Sequence, residues 1–234
     1  MKDHFLEHLG EESGREILKQ VDQEIRSPFY YFDATYCISG GNNRRWSKMI
    51  KRFQAMGIEA GVRHFRMVES DESAHLDTTM SHRAIVQEAM QIGLENVLVI
   101  GDETLFLNDT LEYLSQSIDE LKQREWNLFF LGGQLQNTVS PGAAGCSNLT
   151  IPQQLQDIHA VAYNKGVFEK IASDLPDSRE IMATWLSKQR GYENYLMQLD
   201  NKFIAAPPVT STTSLLEHED EGYRSRFTSG EKID

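Results

Sequence analysis

Asn96-Val97-Leu98-Val99-Ile100-Gly101-Asp102-Glu103-Thr104-Leu105-Phe106 is the stretch that decides how this chain reads. Val97 to Ile100 form a short apolar run, which predicts a strand buried on both faces. Gly101 ends the run and two adjacent carboxylates follow it. Open α/β sheets bind ligands outside the C-terminal ends of such strands. Carboxylate oxygens there suit a hard cation such as Mg²⁺ or Mn²⁺. The competing reading is a solvated turn before a helix that starts near Asn108. A short motif does not by itself separate the two.

Composition bounds the rest. A chain of 234 residues with 40% hydrophobic content suits one α/β domain, alone or with an appendage. The formal net charge of -12 argues against a nucleic-acid surface, which needs a basic stripe, and leaves room for a local basic pocket. Cys37 and Cys146 lack metal-like spacing and suit a reducing compartment, so a cytoplasmic location is expected. Asp3, Glu7, Glu11 and Glu12 interrupt the N-terminus, where a signal peptide would need an apolar run. No stretch approaches the ~20 apolar residues of a membrane span.

Outward from the central stretch, strands and helices alternate. Phe5, Leu6, Leu9, Ile17, Leu18, Val21 and Ile25 fall near helical spacing, so residues 1–28 read as a helical appendage ended by Ser27-Pro28. Tyr30–Ile38 and Val62–Val68 read as strands, with a helix over Arg44–Met56 between them, stopped by Gly57. Glu69–Asp77 reads as an acidic loop and Ser81–Ile92 as a helix closed by Gly93, with Ile85, Val86, Ala89 and Met90 facing the sheet. Asn108 or Asp109 caps a helix to about Lys122. Trp126–Leu131 and Ile158–Tyr163 read as strands. Residues 134–156 between them show no period and read as a long loop of the kind that often carries function. Helices over Lys165–Ser173 and Ser178–Lys188 and a strand over Phe203–Ala206 complete the body, and residues 214–234 form a polar tail. The alternation implies a mostly parallel sheet with helices on both faces. Neither G-x-G-x-x-G nor G-x-x-x-x-G-K-[ST] occurs, which argues against a plain nucleotide-binding module.

Several stretches together resemble one family. Asn96–Phe106 resembles the "ENVLVLEDDVLF" segment of the family-25 glycosyltransferases, the lipooligosaccharide galactosyltransferase type that also includes collagen glycosyltransferases. Tyr36-Cys37-Ile38 followed by Arg45-Trp46 is similar to the opening strand and a shortened turn. Ser81-His82-Arg83 matches "SHR", Trp126–Gly133 resembles "WDLLYLGG", and His159–Tyr163 resembles "HAYAI". The matches run in family order from about Tyr30 to Pro208.

The resemblance implies an α/β, GT-A-like fold over residues 29–213. It also implies metal-assisted transfer of a hexose from a nucleotide sugar, UDP-galactose or UDP-glucose, to a glycan or other hydroxyl acceptor. It places Cys37, Ile38, Arg44, Arg45, His82 and Asp102 on the donor. Mn²⁺ or Mg²⁺ would lie on Asp102 and Glu103, with His218 as a third ligand, and His159, Gly132 and Gly133 on the acceptor side. Read as residues alone, Arg44 and Arg45 could equally be helix-surface charges. His82 and His159 could be satisfied structural histidines, and His218 an exposed tail residue. The chain also departs from the family. Gly101-Asp102-Glu103 stands where the family carries Glu-Asp-Asp, and Ala183-Thr184-Trp185-Leu186 offers no acid at the expected base position. Glu180, one turn earlier, is the substitute base. The joint departure keeps open a catalytically inactive relative that binds a nucleotide, glycan or protein partner.

Overall fold

The computed structural model describes residues 27–67, 73–138 and 147–212. The predicted helices over residues 1–26, residues 139–146 of the long loop, and the tail with His218 lie outside the described residues.

Asp33 marks the entry to the sheet, its carboxylate accepting from the Glu95 backbone N–H at 2.7 Å. Strand β1, Ala34–Ser39, follows and is buried along its whole length. Asn42 then caps helix α1, Asn43–Ala55, its side chain accepting from the N–H groups of Arg44 and Arg45. Met49 and Phe53 turn the apolar stripe of α1 inward, while Ile50 is exposed. Gly57 ends the helix at φ +69°, with Ile58 N–H reaching back to the Phe53 carbonyl. Strand β2, Val62–Arg66, is half-exposed at the sheet edge.

Helix α2 spans Ala74–Gln91 and starts about two turns before the predicted Ser81. Ser73 caps it, and Asp77, read from sequence as loop, is a buried helical residue paired with Arg179. No apolar period marks this first turn in the sequence; a long-range ion pair holds it instead. Ile85, Val86 and Ala89 face the sheet as predicted, but Met90 points to solvent.

Strand β3, Asn96–Gly101, is the predicted central strand. Val97 and Val99 pack on one face, Leu98 and Ile100 on the other. A short strand β4, Thr104–Phe106, leads to helix α3, Thr110–Leu121. After β5, Leu128–Phe130, the predicted loop is in part a ribbon. Strand β6, Gln134–Thr138, pairs antiparallel with β8, Pro152–Gln156, and β7, Leu149–Thr150, joins the main sheet. Their glutamine- and asparagine-rich sequences carry few apolar positions, Leu135 and the buried Leu155 among them, so no alternation marks them as strands. Strand β9, Ala160–Asn164, leads to helices α4, Lys165–Asp174, α5, Arg179–Gln189, and the short α6, Tyr192–Leu196. Strands β10, Lys202–Ala205, and β11, Thr210–Thr212, close the described chain.

The main sheet has the order β2-β1-β3-β9-β5-β10-β7. Strands β1, β2, β3, β5 and β10 run one way, and β9 and β7 run against them. The sheet is therefore mostly parallel, and β1, β2, β3, β5, β9 and β10 fall at the six stretches read as strands. One core, holding Ile85, Phe168 and Met182, lies between one face and α2, α4 and α5. The other, with Met49, Phe53, Leu114 and Ile118, lies under α1 and α3. Helices on both faces leave the strand ends as the open edge of the molecule.

Candidate functional site

At the C-terminal ends of β1 and β3, beside the start of β9, a cleft of about 580 Å³ opens. Its size falls in the range of small-ligand sites. Ile38, Arg45, His82, Gly101, Asp102, Glu103 and His159 line it together, although they come from five separate segments of the sequence. Ser39, His75, Thr78, Asp157 and Glu193 also line it.

One wall carries charge. Arg45 sits in the first turn of α1 and pairs with both acids that follow β3. Its Nη2 is 2.7 Å from Glu103 Oε1 and its Nη1 3.7 Å from Asp102 Oδ1. The Asp102 side chain is 12% exposed, whereas Arg45 and Glu103 are about half exposed. Two adjacent carboxylates repel one another, and the guanidinium fork offsets that repulsion. Arg44 does not line the cleft. Neighbouring helical residues project about 100° apart, so the capped turn can aim only one of the two arginines inward.

The floor is made of backbone. Gly101 N–H donates to the His159 carbonyl at 2.8 Å, and the Thr104 hydroxyl donates to the same oxygen at 3.0 Å. His159 lines the cleft, but both ring nitrogens are taken. Because a carbonyl only accepts, Nδ1–H donates to Asp157 O at 2.7 Å, and Nε2 faces the Thr210 hydroxyl at 3.0 Å. Burial lowers its pKa below the ordinary histidine value, against smaller opposing contributions from these bonds. These two bonds brace His159 in the cleft wall at the start of β9.

The wall opposite the acids belongs to α2 and α6. His75, Thr78 and His82 recur on one face of α2 at spacings of three and four. Glu193 Oε2 lies 3.7 Å from His75 Nε2, and Gly191, at φ +109°, leaves room beside both. His82 is buried, and its Nδ1 lies 2.8 Å from the Tyr163 hydroxyl, which lies 3.0 Å from that of Tyr192. Burial, with a smaller contribution from His75, pulls the His82 pKa down to about 3, so the ring is neutral near pH 7.

Other expected site residues fall elsewhere. Cys37 does not line the cleft; it lies on the face of β1 turned toward α1, fully buried in the core with Met49, Leu98 and Ile100. Burial, then the nearby Asp102 charge, pushes its thiol far above the ordinary range. Gly132 and Gly133 do not line the cleft either. A Cβ at Gly132 would collide with the Thr210 carbonyl, and one at Gly133 would press on Leu155, so these glycines serve close packing. Glu180 is exposed in the first turn of α5, outside the cleft lining. His75, Thr78 and Glu193 are not among the residues expected from the sequence. The helical spacing from His75 to His82 was a usable signal; Glu193 had none, because a left-handed turn at Arg190 and Gly191 brings it round.

Among the described residues no group of three His, Cys, Asp or Glu side chains converges as a metal cage. Asp102 and Glu103 do fit the kind of Mg²⁺ or Mn²⁺ site that takes one or two carboxylates and fills its shell with water and substrate phosphate. No helix of the described residues is long and apolar enough to cross a membrane.

No protein-family model and no curated protein sequence matches the chain. Solved structures do overlap it. A glycosyltransferase involved in glycosylation of the major capsid of PBCV-1 is 8% identical, with a TM-score of 0.43, covering 73% of this chain and 80% of that one. UDP-glucose pyrophosphorylase complexed with UDP-glucose is 12% identical, with a TM-score of 0.37 over 74% and 72%. A Drosophila galactosyltransferase 7 mutant complexed with manganese, UDP-Gal and xylobiose is 11% identical, with a TM-score of 0.33 over 86% and 76%.

Proposed function

We propose that the protein is a transferase that moves a hexose from a nucleotide sugar, UDP-glucose or UDP-galactose, to a hydroxyl acceptor, as its family-25 resemblance implies. The observation that carries the reading is the cleft itself. It places an arginine fork and two strand-end carboxylates on one wall and a histidine–glutamate pair on the other.

Glycosyl transfer must stabilise a leaving diphosphate and take a proton from the acceptor. Arg45 supplies a bidentate phosphate partner once it swings off Glu103. Asp102 and Glu103 would hold Mn²⁺ or Mg²⁺, which when bound acts as a Lewis acid on the diphosphate. Ile38 packs at the donor end of the cleft. On the far wall Glu193, not the exposed Glu180, is the acid placed to accept the acceptor proton. A cytoplasmic location belongs to the same proposal.

The test is incubation with a panel of nucleotide sugars and Mn²⁺, scored for donor binding, hydrolysis and transfer. Binding with turnover of one donor is the expected result. Donor binding without hydrolysis or transfer across the panel would leave a binding protein on this fold, in keeping with Gly101 at the position of the family's first acid.

A further inference from the structure

Three buried polar groups connect the core to the cleft wall, and counting their hydrogens fixes their direction. The Tyr192 hydroxyl is buried, and the Tyr163 oxygen at 3.0 Å is its only hydrogen-bond partner among the described residues. A buried O–H without an acceptor is costly, so Tyr192 donates to Tyr163. Tyr163 is then free to donate its own hydrogen to His82 Nδ1 at 2.8 Å. An imidazole that accepts at Nδ1 and is neutral carries its proton on Nε2. His82 Nε2 has no partner among the described residues, although the residue is only 7% exposed and forms part of the cleft wall. Reversing the chain would leave the Tyr192 hydrogen without an acceptor in the core.

One turn away on the same face of α2, Thr78 shows the complementary polarity. Its hydroxyl donates to the Ala74 carbonyl at 2.9 Å, so toward the cleft it presents an oxygen that accepts. A donor and an acceptor four residues apart on one helix face suit a group that is itself both acceptor and donor. A sugar hydroxyl is such a group. A phosphate, whose ionised oxygens only accept, would draw the Thr78 hydrogen off the Ala74 carbonyl; its partner is the guanidinium on the other wall.

We propose that Tyr192 and Tyr163 are positioning residues that lock His82 as a neutral Nε2–H donor, and that this donor, with Thr78, binds a hydroxyl of the transferred hexose. The assignment rests on the nucleotide-sugar reading for the identity of the ligand, but its tautomer does not.

Two measurements test it. ¹⁵N-edited NMR of the ligand-free protein should show His82 as the Nε2–H tautomer, and Tyr163→Phe should convert it to a mixture of tautomers with the fold retained. Calorimetric titration with UDP and UDP-glucose or UDP-galactose should then show His82→Leu weakening the hexose-bearing ligand about tenfold, with UDP unchanged. His82→Gln, which keeps an N–H, should recover part of the loss. A Nδ1–H tautomer in the wild type, or equal weakening of UDP and UDP-hexose, would overturn the assignment while leaving the nucleotide reading intact. Absence of UDP binding by the wild type would overturn the nucleotide reading, and the hexose assignment with it.

Discussion

A histidine sealed into the core and kept neutral makes stability depend on pH. The unfolded chain protonates His82 near ~6.5, and the folded protein only near about 3. Between those values the unfolded state binds more protons, so the contribution is complete above about pH 6.5 and is lost as pH falls toward 3. From this residue alone the free energy of unfolding should drop by about 2 kcal/mol between pH 7.5 and pH 5. Urea denaturation of the wild type and His82→Gln at both pH values checks this: the variant should show a drop smaller by that amount. At Glu193 the prediction is kinetic. If its carboxylate takes the acceptor proton, Glu193→Gln should lower kcat by about 10² or more and leave donor affinity nearly unchanged, because the lost interaction acts in the transition state. Steady-state kinetics beside donor titration separates the two effects, and Glu180→Gln, outside the cleft, should change neither.

At the scale of elements, strands with buried alternating or continuous apolar residues are legible in the sequence. Val97–Ile100 is the clearest case, and the helix stops at Gly57 and Gly93 follow from their left-handed turns. What escaped was whatever tertiary contact decides. The first turn of α2 depends on Asp77 meeting Arg179, more than a hundred residues away in the chain. The β6–β8 ribbon is polar, and β4 and β11 are three residues each, too short to show a period. The site was legible in the same uneven way. Asp102, Glu103, Arg45 and His82 do share a cleft, whereas Gly132 and Gly133 matched a motif whose glycines prove to be packing residues. Their packing role gives a paired prediction. Gly132→Ala drives a methyl into the Thr210 carbonyl and should destabilise by about 1–3 kcal/mol. Gly101→Ala meets only the His159 carbonyl, at 3.6 Å, and should stay within about 0.5 kcal/mol of wild type. Chemical denaturation of both variants checks the contrast.

For the whole molecule, the antiparallel β9 set between β3 and β5 matters most to the cleft. Entering the sheet against its neighbours, it begins where β3 ends. His159 and Asp157 are thereby delivered beside Gly101 and Asp102, while α2 and α6 bring the opposite wall from one face. On the proposed function, a nucleotide diphosphate and a divalent cation meet at Asp102 and Glu103. Paramagnetic broadening by Mn²⁺ in the presence of UDP measures this directly, residue by residue, in the amide NMR spectrum. Broadening centred on Ser39, Gly101, Glu103 and Thr104 that needs UDP, and that is lost in a folded Asp102→Asn variant, is the predicted result; broadening elsewhere, or identical broadening in the variant, would contradict it.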